Sequence, residues 1–391
     1  MRRIGRWSSV PALMFGIGML AAAGAADDEG GGRLKLVESV PRDDLDSVIT
    51  PAISADGKFL YAASWRPATV TVFRRDAGAG TLAHVQTITD PEGLGGTTAV
   101  SLSRDGRLAI ASAFQSRTAV LFSRDAETGA LTRLDVARDG EKGVRLGFPI
   151  DAAFSPDGKF VYVLDDSGPR EGGRGSVAVF RVADHALALV GIDEGRDGCY
   201  AGARGLAFHP DGKTLFVACN TAGTLVVADR DPATGATNVR QVIKDEEGDV
   251  HGLAGAMGVA IGPDGRDVYV SSGRFGGDDA VTAFRLGSDG RLGVVQEFAN
   301  GNEKLRDFRG GNGIIVSPDG LSVVACGTRS RSIATFRRDP ATGSLTYLAT
   351  LPDGGDGGEF GAADLTYSPD SRFLYVGTED GKSVSVFRRD P

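Results

Sequence analysis

The sequence predicts an all-β fold: a seven-bladed β-propeller with four-stranded antiparallel blades, closed by an amino-terminal strand that completes the last blade. Three observations predict it: a turn motif that recurs seven times, a second turn that recurs between its copies, and a strand-like segment near the amino end. The composition agrees, because 57 glycines and 7% aromatic residues among 391 residues are typical of a turn-rich β protein.

The first turn motif is Ser-Pro-Asp-Gly or a close variant, and it joins two short apolar runs, as in residues 151–165 (DAAFSPDGKFVYVLD). Proline and glycine supply the backbone angles of a tight turn, so each copy predicts a β-hairpin. The motif aspartates are 49 to 55 residues apart, which is a period typical of propeller blades. They are Asp56, Asp105, Asp157, Asp211, Asp264, Asp319 and Asp370.

A second hairpin follows the first within a repeat, as in residues 333–351 (IATFRRDPATGSLTYLATL). Its turn, Asp-Pro-Ala-Thr-Gly or a relative, recurs at Asp231, Asp339 and, in degenerate form, Asp125. Two hairpins account for the four strands of a blade.

The seventh repeat stops at VSVFRRDP, so its fourth strand is missing from the carboxyl end. Residues 33–40 (RLKLVESV) resemble fourth-strand segments such as TLAHVQTI, and we expect them to pair with residues 384–388 and close the ring. Closure removes exposed sheet edges. A stacked solenoid is the alternative, but it has no use for a strand displaced between termini. We therefore predict one propeller domain over residues 27–391.

Residues 1–26 have the pattern of a secretory signal peptide, with three arginines, an apolar stretch and a run of small residues. A transmembrane anchor is the alternative, but the apolar stretch is shorter than a membrane span requires. We therefore expect a secreted or periplasmic protein, with no membrane insertion of the mature chain. The net charge of −8 provides no basic field for nucleic acid. We also expect a monomer.

Arginines dominate the loops that a propeller places on one face, around the mouth of its channel. Guanidinium groups bind carboxylates and phosphates in bidentate geometry, so we expect a small anionic ligand there, or else a protein partner. The alternative is a solvated rim of arginines paired with Asp165, Asp166, Glu171, Asp278 and Asp279. The arginines are Arg66, Arg117, Arg170, Arg174, Arg274, Arg329 and Arg331 in the middle loops, and Arg145, Arg204, Arg306 and Arg309 between blades.

Two aspartates stand out in the column of residues that lies four positions before each first turn motif. Most repeats have Gly, Ala or Thr there, but two have Asp151 and Asp364, whose carboxylates could act as bases or metal ligands. The alternative is that they accept backbone N–H bonds or pair with Arg204. We expect His251 to be the general base on this face, since imidazole titrates near neutrality; the alternative is an exposed loop histidine.

The three cysteines are an odd number, so at least one is unpaired within the chain. Cys199 and Cys219 fall in the same repeat, and we predict a disulfide between them, with Cys326 a buried thiol. The sequence has no Cys-x-x-Cys pair and its histidines are scattered, so a zinc site is not expected. No cofactor is expected, although the acidic, glycine-rich segments 244–252 and 352–364 leave calcium as an alternative.

The segments SPDGKFVYV, VAVF and RRDPATGSLTYL resemble the lactonase-like seven-bladed propellers, the family of 6-phosphogluconolactonase and carboxymuconate cyclase, across essentially the whole mature chain. YVTN-type surface propellers share these strand and turn patterns. The resemblance implies a site with an Arg-His pair, a glutamate and a second histidine. Arg204 matches the arginine, whereas Gly205, Asn220 and Ile150 stand where the other three residues are expected.

Two functions therefore remain open. The first is a lactone hydrolase acting on a small acidic lactone, with His251 and either Asp151 or Asp364 handling protons and Arg204 stabilising the oxyanion. The second is a non-catalytic propeller that binds a ligand or a protein. The candidate ligand-binding residues are Arg204, Arg145, Asn220, Arg274 and Arg329.

Overall fold

The computed structural model describes residues 32–166, 174–301, 305–355 and 358–390. The predicted signal peptide lies outside the described residues, as do Arg170 and Glu171. Among the described residues, no helix is long and apolar enough to cross a membrane.

Twenty-eight strands form within the described residues, and a short 3-10 helix, Asp43–Leu45, precedes the second of them. In chain order the strands are β1 Leu34–Pro41, β2 Val48–Ile53, β3 Phe59–Ser64, β4 Thr69–Arg75, β5 Leu82–Thr89, β6 Thr97–Leu102, β7 Leu108–Ala113, β8 Thr118–Arg124, β9 Leu131–Arg138, β10 Pro149–Phe154, β11 Phe160–Asp165, β12 Ser176–Ala183, β13 Ala186–Asp193, β14 Ala203–Phe208, β15 Thr214–Cys219, β16 Thr224–Arg230, β17 Thr237–Lys244, β18 Ala256–Ile261, β19 Asp267–Ser272, β20 Ala280–Leu286, β21 Leu292–Ala299, β22 Gly311–Val316, β23 Ser322–Gly327, β24 Ser332–Arg338, β25 Leu345–Pro352, β26 Ala362–Tyr367, β27 Phe373–Thr378 and β28 Ser383–Arg389.

These strands form seven four-stranded antiparallel sheets, which are the predicted blades. Blades 1 to 6 each consist of four consecutive strands, from β2–β5 for blade 1 to β22–β25 for blade 6. Blade 7 has the order β1-β28-β27-β26, so its outer strand comes from the amino end. The pairing of β1 with β28 runs from Leu34 opposite Arg389 to Pro41 opposite Ser383. The predicted fold and the predicted closure are confirmed.

Burial differs between the strands of a blade. Second strands such as β3 are buried throughout, whereas outer strands such as β5 are partly exposed along their length. The apolar residues pack between blades; one cluster joins Phe160 and Tyr162 of blade 3 to Leu215 and Val217 of blade 4. Because each blade buries its faces against its neighbours, the ring is stable only as a whole.

A buried arginine clamp joins several pairs of neighbouring blades on the face that carries the first turn motifs. Between blades 3 and 4, Arg230 donates from Nε to the Tyr162 hydroxyl at 2.8 Å and from Nη1 to the Gly212 carbonyl at 2.7 Å. The Tyr162 hydroxyl in turn donates to the Gly235 carbonyl at 2.6 Å. Three further clamps have the same arrangement: Arg75 with Tyr375, Arg124 with Tyr61, and Arg338 with Tyr269.

The innermost strand of every blade carries a register shift against the second strand. Such an irregularity redirects side chains locally. The residues skipped in the register include Ile150, Arg204 and Met257, and all three line the central cavity. The bulges therefore build the wall of the candidate site.

Candidate functional site

A cavity of about 570 Å³ opens at the end of the channel opposite the first turn motifs. Its floor and walls come from the innermost strands, and its rim comes from loops that follow second strands. Asp151, Asp364, Arg204 and Arg274 all line it. Four residues predicted for the site are thus brought to one cavity.

Asp151 and Asp364 lie on the innermost strands of blades 3 and 7. Asp151 accepts N–H bonds from Ala152 at 2.8 Å and from Leu206 at 3.1 Å. Asp364 accepts one from Leu365 at 2.8 Å. These bonds fit the alternative in which the two aspartates accept backbone N–H bonds. A backbone N–H carries no net charge, so each carboxyl group can still gain or lose a proton.

Burial raises the pKa of Asp151 to about 6, because removal from water disfavours the charged form. Burial raises the pKa of Asp364 to about 7, and the nearby negative charge of Asp151 acts in the same direction. Both carboxyl groups therefore titrate closer to neutral pH than an ordinary aspartate does. Such a pair can take up one proton and deliver another.

Glycine occupies the position equivalent to Asp151 and Asp364 in other blades, because neighbouring innermost strands pack closely there. A Cβ atom at Gly205 would lie 2.5 Å from the Met257 carbonyl oxygen, and one at Gly313 would lie 2.3 Å from an Asp364 carboxyl oxygen. A larger residue in place of Gly205 would push blade 5 away. Gly313 makes room for the Asp364 carboxyl group.

Arg204 projects from the bulge of β14 and forms an ion pair with Asp166, which follows β11 in the neighbouring blade. Its guanidinium group lies over the ring of Phe275, 5.0 Å from the centroid. Burial lowers the pKa of Arg204, and the nearby Asp166 carboxylate opposes this shift. The Nε–H of Arg204 has no hydrogen-bond partner among the described residues.

Arg274 also combines an ion pair with aromatic contacts, and it does so across the mouth of the cavity. Its guanidinium group forms a two-pronged ion pair with Glu379 of blade 7, including an Nε to Oε2 bond of 2.8 Å. The same group lies 4.8 Å from the ring centroid of Phe275 and 4.4 Å from that of Phe360. We call the connected residues Asp166, Arg204, Phe275, Arg274 and Glu379 the arch, because they link blades 3 and 7 through blades 4 and 5.

Aromatic rings form a row on the other side of the mouth. Trp65 and Phe114 have ring centroids 5.1 Å apart, and Phe114 stacks on Phe148 at 4.8 Å. Trp65 and Phe114 line the cavity. Offset aromatic faces of this kind bind the apolar face of a flat or sugar-like ring.

Three of the predicted ligand-binding residues do not line the cavity. Arg145 pairs with Glu194 at 2.6 Å and Arg329 with Asp279 at 2.7 Å. Asn220 donates to the sulfur of Met257 at 3.5 Å, so it supports a lining residue from behind. The paired rim that we gave as the alternative describes Arg329, whose partner Asp279 was among the acids named for it. Arg145 is also paired, but with an acid that the alternative did not name.

Two predicted rim acids anchor loops by accepting backbone N–H bonds. Asp165 accepts N–H bonds from Gly147 at 3.1 Å and Phe148 at 2.6 Å. Asp278 accepts one from Ala254 at 2.9 Å. These carboxylates hold the segments that lead into the innermost strands.

His251 is not brought to the cavity. Its side chain is 52% exposed and lies 3.1 Å from Glu246, whose carboxylate raises the pKa of the imidazole by hydrogen bonding and charge. Its role as a general base stays a prediction, but the structure places it apart from Asp151 and Asp364.

The predicted disulfide between Cys199 and Cys219 is not formed; both are free thiols, as is Cys326. Both side chains belong to the apolar cluster between blades 3 and 4, and the Cys219 sulfur points towards the Val217 carbonyl of its own strand, at 3.7 Å. Burial raises the pKa of both thiols, which keeps them protonated. In the described part of the chain, no group of His, Cys, Asp and Glu residues is arranged to hold a metal ion.

Sequence reasoning missed the aromatic row and Glu379, although the repeats contain a signal. The residue nine positions after each first-turn aspartate is the first of the middle loop, and it differs from blade to blade. At this position lie Trp65, Phe114, Asp166 and Glu379. The sequence prediction considered the charged residues of these loops and did not compare this one position across the repeats.

Comparison with known families agrees with the fold. Residues 30–148 and 151–359 match the family described as "Lactonase, 7-bladed beta-propeller". A 6-phosphogluconolactonase of Bacillus subtilis is 25% identical over 198 residues, which are 50% of this chain and 52% of the relative. One of Serratia proteamaculans is 28% identical over 39% of this chain and 44% of the relative. These matches thus span about half of each relative.

Solved structures share the fold. The Pseudomonas aeruginosa periplasmic gluconolactonase PpgL has a TM-score of 0.65 and 20% identity, covering 82% of this chain and 88% of that one. The Kuenenia stuttgartiensis hydrazine synthase also has a TM-score of 0.65, with 17% identity over 89% of this chain and 97% of that one. Such different activities on one fold show that the site must decide the function. From its family match, this chain belongs to the lactonase family of seven-bladed β-propellers.

Proposed function

We propose that this chain hydrolyses a small lactone in the cavity, with Asp151 and Asp364 as the acid–base pair. The observation that carries the proposal is the placement of two carboxyl groups, with pKa values raised to about 6 and about 7, in the wall of one cavity. Family membership and the names of two curated relatives, which are 6-phosphogluconolactonases, support a lactone as the substrate.

The first step is addition of water to the lactone carbonyl. The Asp151 carboxylate takes a proton from the water as its oxygen bonds to the carbonyl carbon. The protonated Asp364 then gives its proton to the ring oxygen as the ring C–O bond breaks. The product is an open-chain hydroxy acid, which loses its carboxyl proton to solvent. The proton on Asp151 returns through solvent to Asp364, which restores the starting pair.

Arg204 lines the same cavity and is suited to stabilise the oxyanion that forms during addition. Its pairing with Asp166 fixes the guanidinium group in place, and Phe275 supports it from one side. A side chain held in this way needs no reorganisation when charge develops on the substrate. Trp65 and Phe114 provide a surface for the lactone ring.

Turnover of δ-gluconolactone by Asp151→Asn and Asp364→Asn variants tests the proposal, with base consumption followed in a pH-stat. We expect each variant to lose about 10²-fold or more in kcat, the usual contribution of a general acid or base. Asp211→Asn, in a turn on the opposite face, is the matched control and should retain wild-type rates. Wild-type rates in both channel variants would contradict the proposal.

A non-catalytic binding role is the second candidate. The observation that favours it is that Gly205 and Ile150 line the cavity where the family resemblance leads us to expect histidines. In that case, calorimetry would detect lactone or sugar binding without turnover, and the two asparagine variants would bind as the wild type does.

Export is part of the proposed biology and rests on residues 1–26, which have the composition of a secretory leader. Cell fractionation decides this point independently of activity.

A further inference from the structure

The arginines around the cavity are paired with carboxylates, and these pairs restrict the charge that a substrate can carry. Among the residues that the structure describes, three arginines line the cavity: Arg66, Arg204 and Arg274. Each is paired with at least one carboxylate, so none offers an uncompensated positive charge to a ligand.

The carboxylates in these pairs outnumber the guanidinium groups. Arg66 lies 3.1 Å from Asp46 and 3.6 Å from Asp380, Arg204 pairs with Asp166, and Arg274 with Glu379. Asp151 and Asp364 add either neutral or negative groups, whatever their protonation. The described residues that line the cavity, taken with their immediate partners, therefore carry a net charge that is neutral to negative.

A phosphate monoester carries about −1.5 to −2 charges at pH 7, and its recognition requires donors with free positive charge. Glu379 already occupies two donor groups of Arg274, whose side chain is 7% exposed. A phosphorylated or carboxylated lactone would have to displace this carboxylate and leave it half-buried without a partner, which is unfavourable.

The same groups suit a neutral, hydroxylated ring. The carboxylates of Glu379 and Asp380 line the cavity and can accept hydrogen bonds from hydroxyl groups. Asn312, also in the lining, can both donate and accept. Trp65 and Phe114 face the cavity from the other side and fit the apolar face of a sugar-like ring.

We propose that the acids of the arch, Glu379 above all, make this cavity select uncharged, hydroxylated lactones and reject phosphorylated or carboxylated ones. This rests on the proposed lactone hydrolysis and specifies its substrate class. Glu379 acts here through Arg274, by neutralising it, and is a specificity-determining residue. Asp166 has the same effect on Arg204.

Hydrolysis of δ-gluconolactone and of its 6-phosphate, which differ by the phosphate alone, tests the proposal. The wild type should have a kcat/KM at least about tenfold higher for the uncharged lactone. Glu379→Gln keeps the shape of the side chain and frees the charge of Arg274, so it should shift the preference towards the 6-phosphate by about tenfold. Asp166→Asn should shift it in the same direction and serves if Glu379→Gln does not fold.

Glu194→Gln is the matched control, because it is the same substitution in the Arg145 pair, outside the cavity lining. It should leave the preference unchanged. Binding of D-glucose and D-glucose 6-phosphate is measured in parallel by calorimetry, since neither compound can be hydrolysed as a lactone.

The outcomes separate the two proposals. Absence of turnover with both lactones contradicts the proposed hydrolysis. In that case the relative binding of D-glucose and D-glucose 6-phosphate decides whether the cavity prefers uncharged ligands. The inference about substrate class is overturned if the wild type favours the phosphorylated member of either pair. It is also overturned if neither arch variant gains towards the phosphorylated member beyond the Glu194→Gln control.

Discussion

Tyr162→Phe should destabilise the propeller through the clamp between blades 3 and 4. The Tyr162 hydroxyl accepts from Arg230 Nε at 2.8 Å and donates to the Gly235 carbonyl at 2.6 Å, and the side chains of Tyr162 and Arg230 are buried. Removing the hydroxyl leaves both groups without this partner. A bond to a charged donor contributes about 1.5–3 kcal/mol and a neutral one about 1 kcal/mol, so we expect a loss of about 2–4 kcal/mol.

The assay is thermal unfolding followed by calorimetry and circular dichroism. With an unfolding entropy of about 2.1 cal/mol/K per residue, a unit of this length should lose about 3–5 °C in Tm. Tyr347→Phe is the control, because its hydroxyl contacts only the Thr350 hydroxyl, at 2.9 Å, in a partly buried setting. The reasoning is refuted if Tyr162→Phe lowers Tm no more than Tyr347→Phe does.

Three further predictions follow. Because the pKa values of Asp151 and Asp364 are raised by folding, the folded state binds more protons than the unfolded state between about pH 4 and 7. Stability should therefore fall as pH rises through this window, by about 3 kcal/mol for Asp151 and about 4 kcal/mol for Asp364. Denaturant titrations of each Asp→Asn variant should show a flatter pH dependence. Phe114→Ala should raise KM about fivefold to tenfold with kcat within about twofold, as steady-state kinetics would show, because it removes one ring surface from the cavity. Deleting residues 1–26 should leave the protein in the cytoplasm, whereas recovery of the truncated chain outside it would contradict export.

The fold could be predicted because each of its signals is local or repeated. The turn motifs give the blade period, and residues 33–40 read as the missing fourth strand, which the pairing of β1 with β28 confirms. Asp151 and Asp364 could be found because seven equivalent repeats make an unusual residue visible in a single sequence. Comparison of the seven repeats with one another thus served in place of an alignment of homologous sequences.

The pairings across the mouth could not be predicted. Glu379 lies 105 residues from Arg274, and the two meet only because the ring brings blades 5 and 7 together over the channel. The clamps were missed for a related reason. Tyr162 and Arg230 are 68 residues apart, and each fits its own strand without the other. Long-range polar partners of this kind leave no trace in a local pattern.

The disulfide shows where local reasoning misleads, and His251 shows what such reasoning leaves open. Cys199 and Cys219 fall in one repeat, but burial in the apolar layer between blades accounts for them without a bond. His251 lies in a loop on the expected face, but its imidazole turns to Glu246 and solvent. Position in a loop does not determine the direction of a side chain.

The pH dependence of kcat/KM for δ-gluconolactone, corrected for spontaneous hydrolysis and measured for wild type and His251→Ala, tests the role of the two channel carboxyl groups most directly. Asp151 must be ionised and Asp364 protonated, so we predict a bell-shaped profile with limbs near the pKa values of about 6 and about 7, the same in both proteins. A profile without these limbs, or one whose limb disappears in His251→Ala, would contradict the account.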